Sequence, residues 1–125
     1  MILGLGTDIV ENKRIARIFK RHGRHFLERI FTEEEIEYCL SHQDPVPYLA
    51  ARFAVKEAAV KALNIRERIG LLYRDIEVAG RVYGKKKLRL NGRAGDIAEN
   101  LGVKHHHLSL THSDDLSVAV VIFES

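Results

Sequence analysis

The sequence predicts an α+β fold in which a mainly antiparallel sheet packs against a long alanine-rich helix. Three observations lead there. The patterned segments run roughly βαααββαββ, without the long βαβ alternation of a parallel sheet. The segments "HLSLTH" and "LSVAVVIF" read as a hairpin around Ser113, Asp114 and Asp115. The stretch "ARFAVKEAAVKAL", residues 51–63, is apolar almost all the way round, so as a helix it belongs inside. The 125 residues, 1–125, amount to one domain, and at 46% hydrophobic they are enough to build a core.

Taken in order, residues 2–10, "ILGLGTDIV", read as a strand. Gly4, Gly6 and Asp8 share one face, and Leu3, Leu5, Thr7 and Ile9 share the other. Residues 12–29 form a basic helical stretch with Lys13, Arg14, Arg17, Lys20, Arg21, Arg24 and Arg29; Ile15, Ile18 and Phe19 give its apolar spacing, and Gly23 interrupts it. Thr32 and Glu35 stand at capping-box spacing and start a helix in "FTEEEIEYCL". Pro45 and Pro47 mark a loop. The alanine-rich helix follows, with Asn64 as its left-handed cap. "DIEVAGRVY" and "KLRL" are short strands around Gly84, Asn91-Gly92 is a turn, and "RAGDIAENLG" is a helix ending at Gly102.

Composition narrows the function classes. No apolar run approaches the ~18 residues of a membrane span. "MILGLGTDIVE" lacks a basic n-region and a cleavage site, so no signal peptide is expected and a cytoplasmic location is the default. Cys39 is the only cysteine, which removes a disulfide framework and a cysteine-based zinc site. A formal charge of +3 and a pI near 9.1 permit an acidic partner without demanding one.

The alanine-rich helix carries Arg52, Lys56, Glu57 and Lys61. Glu57 and Lys61 lie one turn apart with Phe53 below them, and Arg52 and Lys56 form a second one-turn pair. One reading is a helix salt bridge of modest value. The other is a site, because charges among alanine, valine and leucine are costly unless paired or metal-bound. Asp8 poses the same choice: it either caps the following helix or needs a partner beside the space that Gly4 and Gly6 clear, where backbone or ligand can approach closely. Two carboxylates without cysteine suit a hard cation such as Mg²⁺, with phosphates and water completing its shell, and a nearby lysine suits a phosphate. His105-His106-His107 read as solvated loop histidines, since neighbours on a strand point to opposite faces. His112 is either structural or an anion contact beside the hydroxyls of "SLTHS". The basic stretch is either a solvated face or a surface for an acidic partner. Its aromatics are only Phe19 and Phe26, and no recognised nucleic-acid motif is present.

"GLGTDIVENKRI", "FLERIFTEEE", "LAARFAVKEAAVKAL", "DIEV" and "LSLTHSDDLSVAVVI" together resemble the holo-(acyl-carrier-protein) synthase family, the small trimeric type of 4'-phosphopantetheinyl transferase. The likeness runs nearly end to end. Its specific part is a Gly-x-Asp strand combined with Phe-x-x-Lys-Glu-x-x-x-Lys on a helix. The resemblance implies a 4'-phosphopantetheinyl transferase-like fold and transfer of phosphopantetheine from coenzyme A to a serine of apo-acyl carrier protein, releasing 3',5'-ADP, in fatty acid biosynthesis. It implies Asp8 and Glu57 as Mg²⁺ ligands, with Glu57 or a metal-bound water taking the serine proton. Lys61 would neutralise charge at the pyrophosphate, and Arg52 and His112 would contact phosphate, His112 nearest the 3'-phosphate. Arg14, Arg24, Phe26 and Arg29 would meet the carrier protein, and three subunits would share clefts that hold the coenzyme. On this reading the helix charges face a shared active site and the alanines pack the core. Two stretches depart from the family. Its Gly-Lys-Pro is Gly84-Lys85-Lys86-Lys87 here, and its glycine-rich helix exit reads "NIRERIG".

Two other functions compete. A nucleic-acid-binding module would use the basic helix, leave Asp8 and Glu57 structural, and shift a nucleic acid in a salt-dependent way without binding coenzyme A. A Mg²⁺-dependent phosphohydrolase would release product without a protein acceptor.

Overall fold

A computed structural model describes residues 1–80 and 86–125. Strand β1 (Ile2–Glu11) leads into α1 (Asn12–His22), α2 (Arg24–Ile30), α3 (Glu33–Leu40) and the long α4 (Val46–Ala62). A 3-10 turn (Tyr73–Asp75) precedes β2 (Ile76–Ala79); β3 (Lys87–Leu90), α5 (Gly92–Leu101), β4 (His105–His112) and β5 (Leu116–Glu124) follow. β1, β5 and β4 form an antiparallel sheet in that order, and β2 and β3 pair antiparallel by themselves. Of the expected strand "DIEVAGRVY" and the Gly84 that follows it, residues 81–84 lie outside the described ones.

One face of the three-stranded sheet carries α4. The approach is close because Gly4 and Gly6 have no Cβ: one at either position would overlap the backbone carbonyls of Ala62 and Ala58. Alanine on the helix side completes the fit, with Ala50, Ala51, Ala54, Ala58 and Ala59 fully buried. Phe31, Ile36, Leu49, Val55, Val60, Ile76, Val121 and Phe123 fill the remaining core. Cys39 lies within it, and burial pushes its thiol up to about 12, so it is no nucleophile.

Local signals act as the sequence suggests at several points. Gly23, at φ 56°, breaks the basic stretch into α1 and α2. Thr32 and Glu35 form a reciprocal capping box. Asn64 takes the left-handed conformation just beyond α4. Buried Asn12 ties the start of α1 to the β4–β5 turn: its Nδ2 donates to Ser113 O and Asp114 O, and its Oδ1 accepts from Ser117 Oγ.

Three expectations need correction. α4 begins at Val46, so Pro45 and Pro47 open the helix instead of marking a loop; proline is tolerated in the first turn, where its missing N–H has no partner to lose. Asn91 is the N-cap residue of α5 and Gly92 its first residue, where the sequence suggested a turn. His105, His106 and His107 belong to β4, not to a loop. They do alternate: His106 reaches Leu88 O at 3.0 Å and meets the Phe123 ring edge-on, while His107 pairs with Glu124 on the other face.

Candidate active site

Asp8 stands on the face of β1 that meets α4, two positions beyond Gly6. Its side chain is 16% exposed, and Oδ1 accepts from Lys61 Nζ at 3.0 Å. The same ammonium donates to Thr7 O at 3.0 Å, which fixes it against β1. Asp8 caps no helix, since Glu11 occupies that position for α1. One helical turn before Lys61, Glu57 is 17% exposed. It does not bridge to Lys61. Instead Oε1 accepts from the Tyr73 hydroxyl at 2.5 Å, and Arg68 donates to both carboxylate oxygens at 3.4 and 3.3 Å. Phe53, a turn below, packs its ring 5.9 Å from that of Tyr73. Burial, then the contact with Glu57, pushes the Tyr73 phenol up to about 12, so it remains a donor through the physiological range. The one-turn salt bridge that spacing alone suggests is therefore replaced by two longer-range pairings that face β1 and the 63–72 segment.

Lys56 does not join this group. It is fully buried, and its three donors are used on Glu35 Oε1 at 2.8 Å, Tyr73 O at 3.1 Å and Ile76 O at 2.5 Å. Glu35 in turn holds the Thr32 and Val78 amides. Burial lowers the Lys56 pKa while Glu35 opposes the fall. The expectation that all the α4 charges face a site is thus corrected: Lys56 is a core ion pair that ties α4 to α3 and β2.

Arg52 points elsewhere again. It is 1% exposed, its guanidinium lies 4.1 Å over the Tyr38 ring, and its Nε is buried with no hydrogen-bond partner among the described residues. It lines a cavity of about 560 Å³ with Glu34, Tyr38, Ser41 and Val78, a lining that holds none of Asp8, Glu57 or Lys61. Half-buried Lys86 is held below the usual lysine range, first by burial and then by the Arg52 charge. His112 is exposed at the end of β4, 5.1 Å from the Tyr48 ring. Tyr48 also stacks on His42 at 3.5 Å and meets Tyr38 edge-on at 6.1 Å. An aromatic ladder thereby connects Arg52 to His112.

On the basic helices, Arg14 and Arg29 are exposed, and among the described residues neither has an ion pair. Arg24 is bound by Glu28 at 3.1 Å and Glu33 at 3.0 Å, so its charge is largely compensated. Phe26 is half-buried, edge-on to Phe31 at 6.1 Å. Arg68, Tyr73, Tyr48 and Lys86 escape a reading of the sequence. The first two lie where no helical or strand period operates, Lys86 beside the departure from Gly-Lys-Pro, and Tyr48 in what looks like a proline loop.

The chain can be compared with known proteins at this point. The family model of the 4'-phosphopantetheinyl transferase superfamily matches residues 4–121. A holo-(acyl-carrier-protein) synthase of Leptospira biflexa is 46% identical over 122 residues, covering 98% of this chain and 96% of that protein. The crystal structure of the Neisseria meningitidis synthase superposes with a TM-score of 0.85 at 38% identity, over all of both chains. The Bacillus anthracis synthase, solved in complex with CoA (3',5'-ADP), gives a TM-score of 0.80 at 33% identity over 100% of this chain and 98% of that one. With a family match over nearly its whole length and a relative this similar, the chain belongs to the 4'-phosphopantetheinyl transferase superfamily.

Proposed function

We propose that this chain transfers the 4'-phosphopantetheine arm of coenzyme A to a serine of apo-acyl carrier protein, releasing 3',5'-ADP. The observation that carries the reading is two nearly buried carboxylates, Asp8 on β1 and Glu57 on the helix packed against it, with Lys61 against Asp8. The chain's similarity to a synthase solved with coenzyme A supports it. In the reaction the serine oxygen bonds to the phosphorus that carries the pantetheine arm. The bond from that phosphorus to the bridging oxygen of 3',5'-ADP breaks, and the serine gives up its proton.

The residues fit a divalent cation. Asp8 and Glu57 offer hard oxygen donors that solvent can still reach, and Mg²⁺ takes one or two carboxylates where substrate phosphates and water supply the rest. Mg²⁺, when bound, supplies positive charge at the pyrophosphate. Lys61 neutralises the charge that builds on the leaving 3',5'-ADP, and Thr7 O keeps its ammonium in place. Glu57 is the group assigned to take the serine proton, directly or through a water. Arg52 and His112 are assigned to phosphate: a phosphate oxygen would satisfy the Arg52 Nε, which is buried without a partner among the described residues. Arg14 and Arg29, with the compensated Arg24 and half-buried Phe26 beside them, form the surface for an acidic carrier protein.

The same reading includes a homotrimer with active sites between subunits, in the cytoplasm and serving fatty acid synthesis. Its support is the sheet face turned away from α4, which exposes Leu3 (41%), Leu5 (62%) and Ile9 (63%) beside half-buried Val118, Val120 and Ile122. A contiguous apolar patch of this kind marks an interaction surface. No described helix is long and apolar enough to cross a membrane. The function is tested by chromatographic measurement of 3',5'-ADP from coenzyme A and Mg²⁺, with and without apo-acyl carrier protein. Release only with the carrier protein supports the transferase. Release without it would identify a phosphohydrolase.

A further inference from the structure

Glu57 is engaged on both oxygens. Oε1 accepts from the Tyr73 hydroxyl at 2.5 Å and from Arg68 Nη1 at 3.4 Å; Oε2 accepts from Arg68 Nη2 at 3.3 Å. Arg68 Nη1 also donates to the Tyr73 oxygen at 2.6 Å, which closes a triangle of three side chains. The three corners are anchored differently. Glu57 stands on α4, and half-buried Tyr73 is held by ring packing on Phe53. Arg68 stands on the irregular 63–72 segment, and its side chain is 49% exposed. The carboxylate and phenol are thus fixed, while the guanidinium can leave at the small cost of an exposed ion pair. Asp8 differs, because its cation, Lys61, is mounted on a helix and tied to Thr7 O.

A divalent cation on Glu57 competes with Arg68 for the carboxylate, and two cations on one carboxylate repel each other. We propose that Arg68 is a placeholder cation: it neutralises Glu57 in the metal-free protein and is displaced when the divalent cation enters. Metal loading is then coupled to movement of the 65–70 segment, while the Tyr73 hydroxyl stays and keeps the Glu57 carboxylate aimed. The proposal rests on the reading of Glu57 as a metal ligand.

The test uses Mn²⁺ as the probe. Free Mn²⁺ is followed by electron paramagnetic resonance during titration of the protein saturated with coenzyme A, corrected for coenzyme A alone, for the unmodified protein and Arg68→Gln. Loss of the competing ion pair is expected to tighten Mn²⁺ binding about threefold. In the unmodified protein, Mn²⁺ is expected to speed amide hydrogen exchange across residues 65–70, a readout that needs no variant. Equal or weaker Mn²⁺ binding by Arg68→Gln, or exchange unaltered by Mn²⁺, overturns the placeholder role. If the unmodified protein binds no Mn²⁺ beyond coenzyme A itself, the metal-ligand reading of Glu57 fails first, and the proposal with it.

Discussion

Asp8 on β1 and Glu57 on α4 stand on two elements that pack together through glycine and alanine, and each is compensated by a cation from outside its own element. Two carboxylates held so close to burial have a role that alanine cannot fill. Asp8→Ala and Glu57→Ala are each expected to lower kcat on the order of 10²-fold or more, since on the proposed reading each removes a ligand of the ion at the transferring phosphate. Circular dichroism should report an unchanged fold, and near-normal turnover in either variant would remove the metal assignment. Lys61→Ala is expected to act differently. On the proposed reading its charge matters most as 3',5'-ADP departs, so kcat should fall more than coenzyme A binding weakens. Steady-state kinetics separate the two effects: a rise in KM alone would make Lys61 an ordinary binding residue. Asp8, Glu57 and Lys61 were legible because each breaks an apolar pattern. Arg68 and Tyr73 break no pattern, so nothing in their local sequence marks them.

At the scale of the element, α4 sends its four charges in three directions. Arg52 turns to the cavity beneath Tyr38, Lys56 into the core, and Glu57 and Lys61 toward β1 and the 63–72 segment. The helix itself, the close approach that Gly4 and Gly6 permit, the capping box and the C-terminal hairpin follow from patterns a few residues long. The partner of Lys56 does not. Glu35 lies 21 residues earlier on α3, and only tertiary packing brings the two together. The start of α4 was obscured by Pro45 and Pro47, which read equally as a loop or a helix opening. Lys56→Met should leave Glu35 buried without its cation and cost about 3–5 kcal/mol, measured as a lower denaturant midpoint. Adding Glu35→Gln should recover part of the loss, because the amide oxygen can still accept from Thr32 N while the unpaired charge is gone. A single variant as stable as the parent would mean that the pair contributes nothing.

For the whole molecule, two faces remain to be covered. The open sheet face is apolar, and the reading as a homotrimer uses it. Leu5→Glu is expected to shift the mass measured by light scattering from trimer to monomer and to lower activity with it; a parent protein that is monomeric at assay concentration would remove this part of the account. The basic helices present Arg14 and Arg29 to solvent. Opposite charges speed encounter and are screened by salt, over a Debye length of about 8 Å at physiological ionic strength. Arg14→Glu should therefore raise KM for the carrier protein and flatten its salt dependence, while KM for coenzyme A barely moves. Equal damage to both would mean that α1 shapes the active site instead of docking the partner.

The central claim is covalent transfer to a protein acceptor, and the mass of that acceptor tests it most directly. Apo-acyl carrier protein is incubated with this protein, coenzyme A and Mg²⁺, and its intact mass is measured over time. The account expects a single new species heavier by one phosphopantetheine arm, attached at a serine and formed only when coenzyme A is present. An acceptor of unaltered mass, with the coenzyme either intact or cleaved, would contradict it.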